Sequence, residues 1–190
     1  MSNASDKVGP AGRAQLERFV ELLGAYSATV LTTRVLDAVT DGSLTPAQLE
    51  ALTFIARHGG CSTKTLSEGL RISIPSATRS VDRLVRKLLV DRRESGVDRR
   101  LVMLTATPAG EALLGAVVQA RVTRLADALG ALTPAEGTQL LTLLERFLLV
   151  ALHDEQSVDA CCLHCGDEHD RACVVNTAHT VLMGRPVEHP

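Results

Sequence analysis

The sequence predicts a mainly α-helical chain interrupted once by a small β-hairpin. Aromatic residues make up only 2% of it, with no Trp and one Tyr, so the core has to be built from Leu, Val and Ala, which suits packed helices. Apolar residues recur at three- and four-residue steps along most of the chain, the period of a helix buried on one face. Only residues 90–94 (VDRRE) and 101–106 (LVMLTA) alternate or carry β-branched side chains, and they flank a charged stretch containing Gly96. A hydrophobic content of 45% argues against disorder, and 190 residues suffice for one compact core or two small intertwined ones.

Residues 1–10 read as a disordered leader. Leu16, Phe19, Val20, Leu23, Tyr26, Val30 and Leu31 then lay one apolar stripe along a helix that runs to about residue 39 and stops at Asp41-Gly42-Ser43. So long a stripe cannot be covered by one short neighbour, which predicts a dimerisation helix over 11–44 with a partner subunit as its cover. Thr45-Pro46 is a helix start, an N-cap followed by proline in the first turn. Leu49, Leu52, Ile55 and Ala56 form that helix's inner face, and Gly59-Gly60 ends it. Ser62 or Thr63 caps a short helix through Leu70. After the turn Arg71-Ile72-Ser73, another helix runs from near Pro75 to about Leu88, with Ala77, Val81, Leu84, Val85 and Leu88 inside. The hairpin follows. Thr107-Pro108, with Glu111, opens a helix to about Leu129, and Thr133-Pro134 opens one to about His153. Residues 108–156 thus read as a second, C-terminal dimerisation region, and 157–190 as a separate Cys/His-rich extension.

The net charge of −2 hides a local imbalance: residues 71–100 hold nine basic side chains against four acidic ones. A basic footprint on an acidic body is the electrostatic signature of nucleic-acid contact. Scarce aromatics argue against stacking on single strands, so the expected partner is duplex DNA. Two short helices joined by a tight turn, then a charged hairpin, follow the order of a winged helix-turn-helix, here spanning 45–107. The second helix of that unit enters the major groove by its N-terminal residues, which makes Ser73, Ser76, Thr78, Arg79 and Arg83 the candidate DNA contacts. The wing tip offers Arg99 and Arg100 to a minor groove, whose negative potential attracts arginine. Arg86, Arg92 and Arg93 read equally as a solvated face or as flanks for phosphates.

Several blocks carry a family resemblance. They are Leu44-Thr45-Pro46-Ala47-Gln48, Leu66-Ser67-Glu68, the run from Pro75 to Leu84 (PSATRSVDRL), and Asp98-Arg99-Arg100 followed by Leu104-Thr105-Ala106-Thr107-Pro108-Ala109-Gly110. Together they resemble the core of the MarR family of transcription regulators. The resemblance implies a homodimer on a pseudo-palindromic operator, terminal helices that form the dimer interface, repression as the default, and a small phenolic or lipophilic effector. It also implies that Asp98 braces Arg100 toward the minor groove. Leu88 departs from the pattern, because the family usually has Gly there. A Leu in the left-handed conformation is strained, so the sequence predicts a different helix end or a wider turn. The resemblance reaches loosely to Leu152 and does not cover residues 157–190.

That last segment holds four of the five cysteines and four of the six histidines. Cys162 and Cys165, with two residues between them, form a chelating turn, Cys173 adds a third thiolate, and the candidate fourth ligand is His169, His164, His179 or Cys161. Three Cys and one His suit tetrahedral zinc. All four cysteines, the adjacent Cys161 and Cys162 included, suit an iron–sulfur cluster. Exposed thiols that pair under oxidation are the third reading. Cys61 stands alone at a helix start, where a lowered pKa would make a peroxide sensor, although free cysteine is more often a small buried residue. His58 and His153 read as surface or capping residues.

No Gly-rich phosphate loop and no G-x-S-x-G elbow is present, and the His-x-Glu half of a deaminase zinc motif is missing, so no enzyme is expected. A protein-interaction module without DNA binding conflicts with the basic footprint. The N-terminus lacks the apolar core of a signal peptide, and no run of about 18 consecutive apolar residues occurs, so a cytoplasmic protein with no membrane partner is expected.

Overall fold

The computed structural model describes residues 9–94, 102–154, 156–158, 161 and 173–184. The chain divides into two compact units, 1–46 and 47–190.

From Pro10 to Thr40 the first unit is one continuous helical rod. Helix α1 (Pro10–Ala25) passes into a π-helical stretch (Tyr26–Arg34) and then into α2 (Val35–Thr40). The single regular helix expected from the sequence is therefore modified in its middle third, where the wider winding shifts the phase of the stripe. Asp41 and Gly42 take left-handed backbone angles and end the rod. Leu16, Phe19, Val20, Leu22 and Leu23 are exposed on α1. Within residues 11–40, one 18-residue window reaches a mean hydropathy of 1.2, enough in length and composition for a membrane span. Arg13, Glu17, Arg18 and Glu21 interleave with the apolar residues of α1, an amphipathic pattern at the N-terminal end of the rod.

The second unit holds α3 (Pro46–Arg57), α4 (Thr63–Gly69), α5 (Ile74–Arg86), β1 (Val90–Glu94), β2 (Val102–Ala106), α6 (Pro108–Leu129), α7 (Pro134–Ala151) and α8 (Val174–Met183). Its helix starts are local affairs, as the sequence indicated. Ser62 Oγ accepts from Thr65 N at 3.0 Å, and Thr107 Oγ1 from Gly110 N at 3.1 Å. Thr133 and Glu136 form a reciprocal capping box, with Glu136 N donating to Thr133 Oγ1 and Thr133 N to Glu136 Oε2. The hydrogen bonds from Thr133 also hold the Glu136 carboxyl below its usual pKa.

The core comprises Leu49, Ala51, Leu52, Phe54 and Ile55 of α3, Leu66 of α4, Ala77, Val81 and Leu84 of α5, and Leu89, Val90 and Leu104 around the hairpin. Ala56 and Val85, expected inside, are only half-buried. Phe54, absent from the expected face, is buried; its ring stacks on His58 at a centroid distance of 3.9 Å and closes over Gly69, where any Cβ would collide with it. His58 is thereby a packing residue, its Nδ1 2.8 Å from the Phe54 carbonyl oxygen.

Leu88 corrects the sequence reading twice. It is 73% exposed rather than inside, and the turn neither widens nor avoids the left-handed region, since Leu88 has a φ of 59°. The reason is a Schellman closure of α5. Leu88 N donates to Val85 O at 2.9 Å, and Leu89 N reaches back to Leu84 O at 3.0 Å. The two bonds satisfy orphan carbonyls, and Leu89 takes the buried place instead. Against them stands a backbone cost of about 1–2 kcal/mol for a non-glycine residue in this conformation.

Beyond α7, Leu152, Val158 and Ala178 form a small buried cluster with Val175 packed against it. Helix α8, which the sequence reading did not foresee, thus packs on the end of α7. Among the described residues many apolar side chains of α7 are exposed, including Leu141, Leu144, Phe147 and Val150.

Candidate nucleic-acid interface

Helix α5 separates its faces sharply. Ala77, Val81 and Leu84 are buried, while Arg79, Arg83 and Arg86 are exposed, one helical turn apart along the opposite side. The N-terminal end is organised by its own hydroxyls. Ser73 is the N-cap, its Oγ accepting from Ser76 N at 3.3 Å and donating to Ser76 Oγ at 3.1 Å. Arg79 Nη2 donates to Ser76 Oγ at 3.1 Å, which stretches the guanidinium back along the helix toward its N-terminus. Thr78 is half-buried and donates to Ile74 O at 2.9 Å. Of the five contacts expected on this helix, Arg79 and Arg83 are exposed charges, Ser76 orients Arg79, and the Ser73 and Thr78 hydroxyls are engaged by the helix itself.

The hairpin is antiparallel, with Val90 opposite Ala106, Arg92 opposite Leu104 and Glu94 opposite Val102. Asp98, Arg99 and Arg100 lie outside the described residues. A third chain segment joins the sheet. Cys61 N donates to Leu104 O at 3.1 Å, and Leu104 N to Cys61 O at 2.8 Å. That bridge explains the fate of Cys61, which is 3% exposed, and burial pushes its thiol up to about 11. The peroxide-sensor alternative needs an accessible thiolate and is overturned.

Two of the arginines read from sequence as solvent or phosphate flanks are engaged. Arg92 Nη2 sits 2.6 Å from Asp82 Oδ1 on α5, and Arg93 Nη2 lies 3.3 Å from Asp91 Oδ2. The Asp82 pairing was invisible in the sequence because the partners are ten residues apart on different elements.

Of the expected metal ligands, Cys161 is exposed and Cys173 is the half-buried N-cap residue of α8. Cys162, Cys165 and His169 lie outside the described residues. Among the described residues no three His, Cys, Asp or Glu side chains gather as a metal site. His153 takes a capping role, its Nδ1 2.9 Å from Ala151 O at the end of α7.

The sequence profile of the MarR family matches residues 43–101, the stretch from the loop before α3 through the wing. An uncharacterized HTH-type transcriptional regulator, Mb0904 of Mycobacterium bovis, is 33% identical over 109 residues, covering 57% of this chain and 75% of the relative. The HTH-type transcriptional repressor MdtR of Bacillus subtilis is 28% identical over 122 residues, covering 64% and 79%. In three dimensions the chain resembles the crystal structure of YusO from Bacillus subtilis, with a TM-score of 0.59 and 25% identity over 70% of this chain and 95% of that one.

Proposed function

Because the chain belongs to the MarR family of transcription regulators, we propose that it acts in the cytoplasm as a homodimeric, sequence-specific repressor whose hold on operator DNA responds to a signal at its cysteine-rich C-terminal segment. The observation that carries the DNA half is the two-faced α5, packed through Ala77, Val81 and Leu84 and presenting Arg79, Arg83 and Arg86 outward. Arg79 and Arg83 are suited to guanine edges and phosphates, and Arg99 and Arg100 to the minor groove beside the wing, with Asp98 as brace. The exposed apolar faces of α1 and α7 suit a second copy of the chain, since soluble proteins seldom leave so much contiguous apolar surface to water.

The regulatory half rests on sequence: four cysteines within residues 161–173, with His169 among them. They suit zinc or an iron–sulfur cluster. The segment is flanked by Val158 and Ala178, whose packing on Leu152 links it to the end of α7. Metal binding or a lipophilic effector would act by biasing the terminal helices and so the spacing of two recognition helices.

The test is fluorescence anisotropy of the full-length protein on its own upstream region at two salt concentrations. Specific binding weakens steeply with salt as counterions are released. Arg79→Ala and Arg100→Ala each cost about tenfold or more in affinity, with the dimer intact. Salt-insensitive binding, or affinity unmoved by both substitutions, overturns the DNA reading. Anaerobic purification with metal analysis and a visible absorption spectrum tests the other half. Colourless, metal-free protein that binds DNA fully removes the metal.

A further inference from the structure

We propose that Asp82 and Arg92 are positioning residues that fix the roll of the wing against the recognition helix, and that Asp82 thereby lowers affinity for DNA in general while raising discrimination between sequences. The inference rests on the DNA-binding reading above and names a determinant which that reading leaves out.

Asp82 is the single acidic residue of α5, among Arg79, Arg83 and Arg86. Its side chain is 44% exposed. A carboxylate in that position repels every phosphate that approaches the helix, whatever the base sequence. Its partner is not a neighbouring arginine of its own helix, although Arg79 and Arg86 stand three and four residues away, the usual reach for a helical ion pair. It is Arg92 of β1, at 2.6 Å.

Arg92 lies opposite Leu104 in the sheet register, and Leu104 is the residue that exchanges two main-chain hydrogen bonds with Cys61. The hairpin is therefore pinned at one level on both strands, β2 by backbone and β1 by charge. Burial of Val90 and Leu104 and the Cys61 bridge seat the base of the hairpin, and the ion pair adds a tie from β1 to α5 that biases its tilt against the recognition helix. Exposed ion pairs add little to stability, about 0–1 kcal/mol, so the consequence falls on orientation rather than on folding. Releasing Arg92 gives a further basic group to phosphate, beside Arg79, Arg83 and Arg86, and loosens the geometry that tells one site from another.

The experiment uses the full-length protein, a duplex selected by it from a random-sequence pool, and a scrambled duplex of equal composition. Asp82→Asn is expected to bind the scrambled duplex several-fold tighter, with a salt dependence steeper by about one phosphate contact. Its preference for the selected site should fall about tenfold, with little change in melting temperature. Arg92→Gln should weaken binding to both duplexes and also reduce preference. The exchanged pair, Asp82→Arg with Arg92→Asp, should recover part of it. A preference unchanged in Asp82→Asn overturns the proposal. So does a parallel loss of melting temperature and of both affinities, which marks a merely structural pair. A wild-type protein that does not distinguish the two duplexes instead overturns the DNA-binding reading itself.

Discussion

The hydroxyl of Thr107 donates to the carbonyl oxygen of Leu88 across 2.7 Å while it accepts from the backbone N–H of Gly110 at 3.1 Å. One side chain thus caps α6 and secures the strained turn that ends α5, and Thr107 N adds a bond to Leu89 O at 3.0 Å. The exit of the recognition helix and the entry of α6 are a single hydrogen-bonded joint.

Leu88→Gly should therefore stabilise the protein by about 1 kcal/mol, because glycine takes the left-handed conformation without a Cβ clash and the exposed Leu side chain forfeits little burial. Thr107→Ala should destabilise it by about 1–2 kcal/mol through loss of the cap. Urea denaturation of both variants checks the opposite signs.

Gly110 has a packing reason. A Cβ there would run into the carbonyl oxygen of Leu89, a backbone atom that cannot swing aside. Gly110→Ala should cost about 2 kcal/mol or more. Gly115, on the same helix, has nothing within 4 Å of a Cβ. Gly115→Ala should be neutral or stabilising by up to about 1 kcal/mol. Equal effects at the two positions in thermal melts would contradict the close approach.

The Cys61 thiol gives a signed pH dependence. Its pKa rises from an ordinary 9.0 to about 11 on folding, by burial. Between those values the unfolded chain loses the proton and the folded chain keeps it, so stability falls as pH rises from 9 toward 11 and the group adds no slope below that window. Cys61→Ala should flatten that part of the stability profile. At neutral pH, alkylation followed by mass spectrometry should label Cys161 readily and Cys61 only after denaturation.

Phe147 is 64% exposed on α7. In an isolated subunit Phe147→Glu is close to neutral. In a dimer closed over this face it buries an unpaired charge, and sedimentation at micromolar concentration should show monomers with unchanged helical content. A variant that remains dimeric would move the interface off this part of α7.

What was legible in the sequence was what is local. Thr133, Pro134 and Glu136 announce a helix start because cap, proline and reciprocal acid lie within four residues, and the VDRRE and LVMLTA segments read as strands from their own composition. Phe54 over Gly69, Cys61 beside Leu104 and Asp82 with Arg92 were not legible, since each joins elements whose relative placement exists only in the folded chain. The π-helical stretch escaped because a change of winding leaves composition untouched. Leu88 was flagged by rule and then misjudged. Two backbone bonds and the burial of Leu89 outweigh the strain, and a propensity rule counts neither.

The double pinning of the hairpin at Arg92 and Leu104 has a mechanical consequence. Among the described residues, two more residue pairs, Arg93 with Met103 and Glu94 with Val102, extend past that level. At about 3.3 Å per residue the paired strands project roughly 7 Å from their pivot, so a tilt of about 5° moves their end by only about 0.6 Å. The described part of the hairpin is thus a short arm: rocking at Arg92 and Leu104 displaces Arg93 and Glu94 by well under an ångström, so the strands carry those side chains on a backbone nearly fixed to the core.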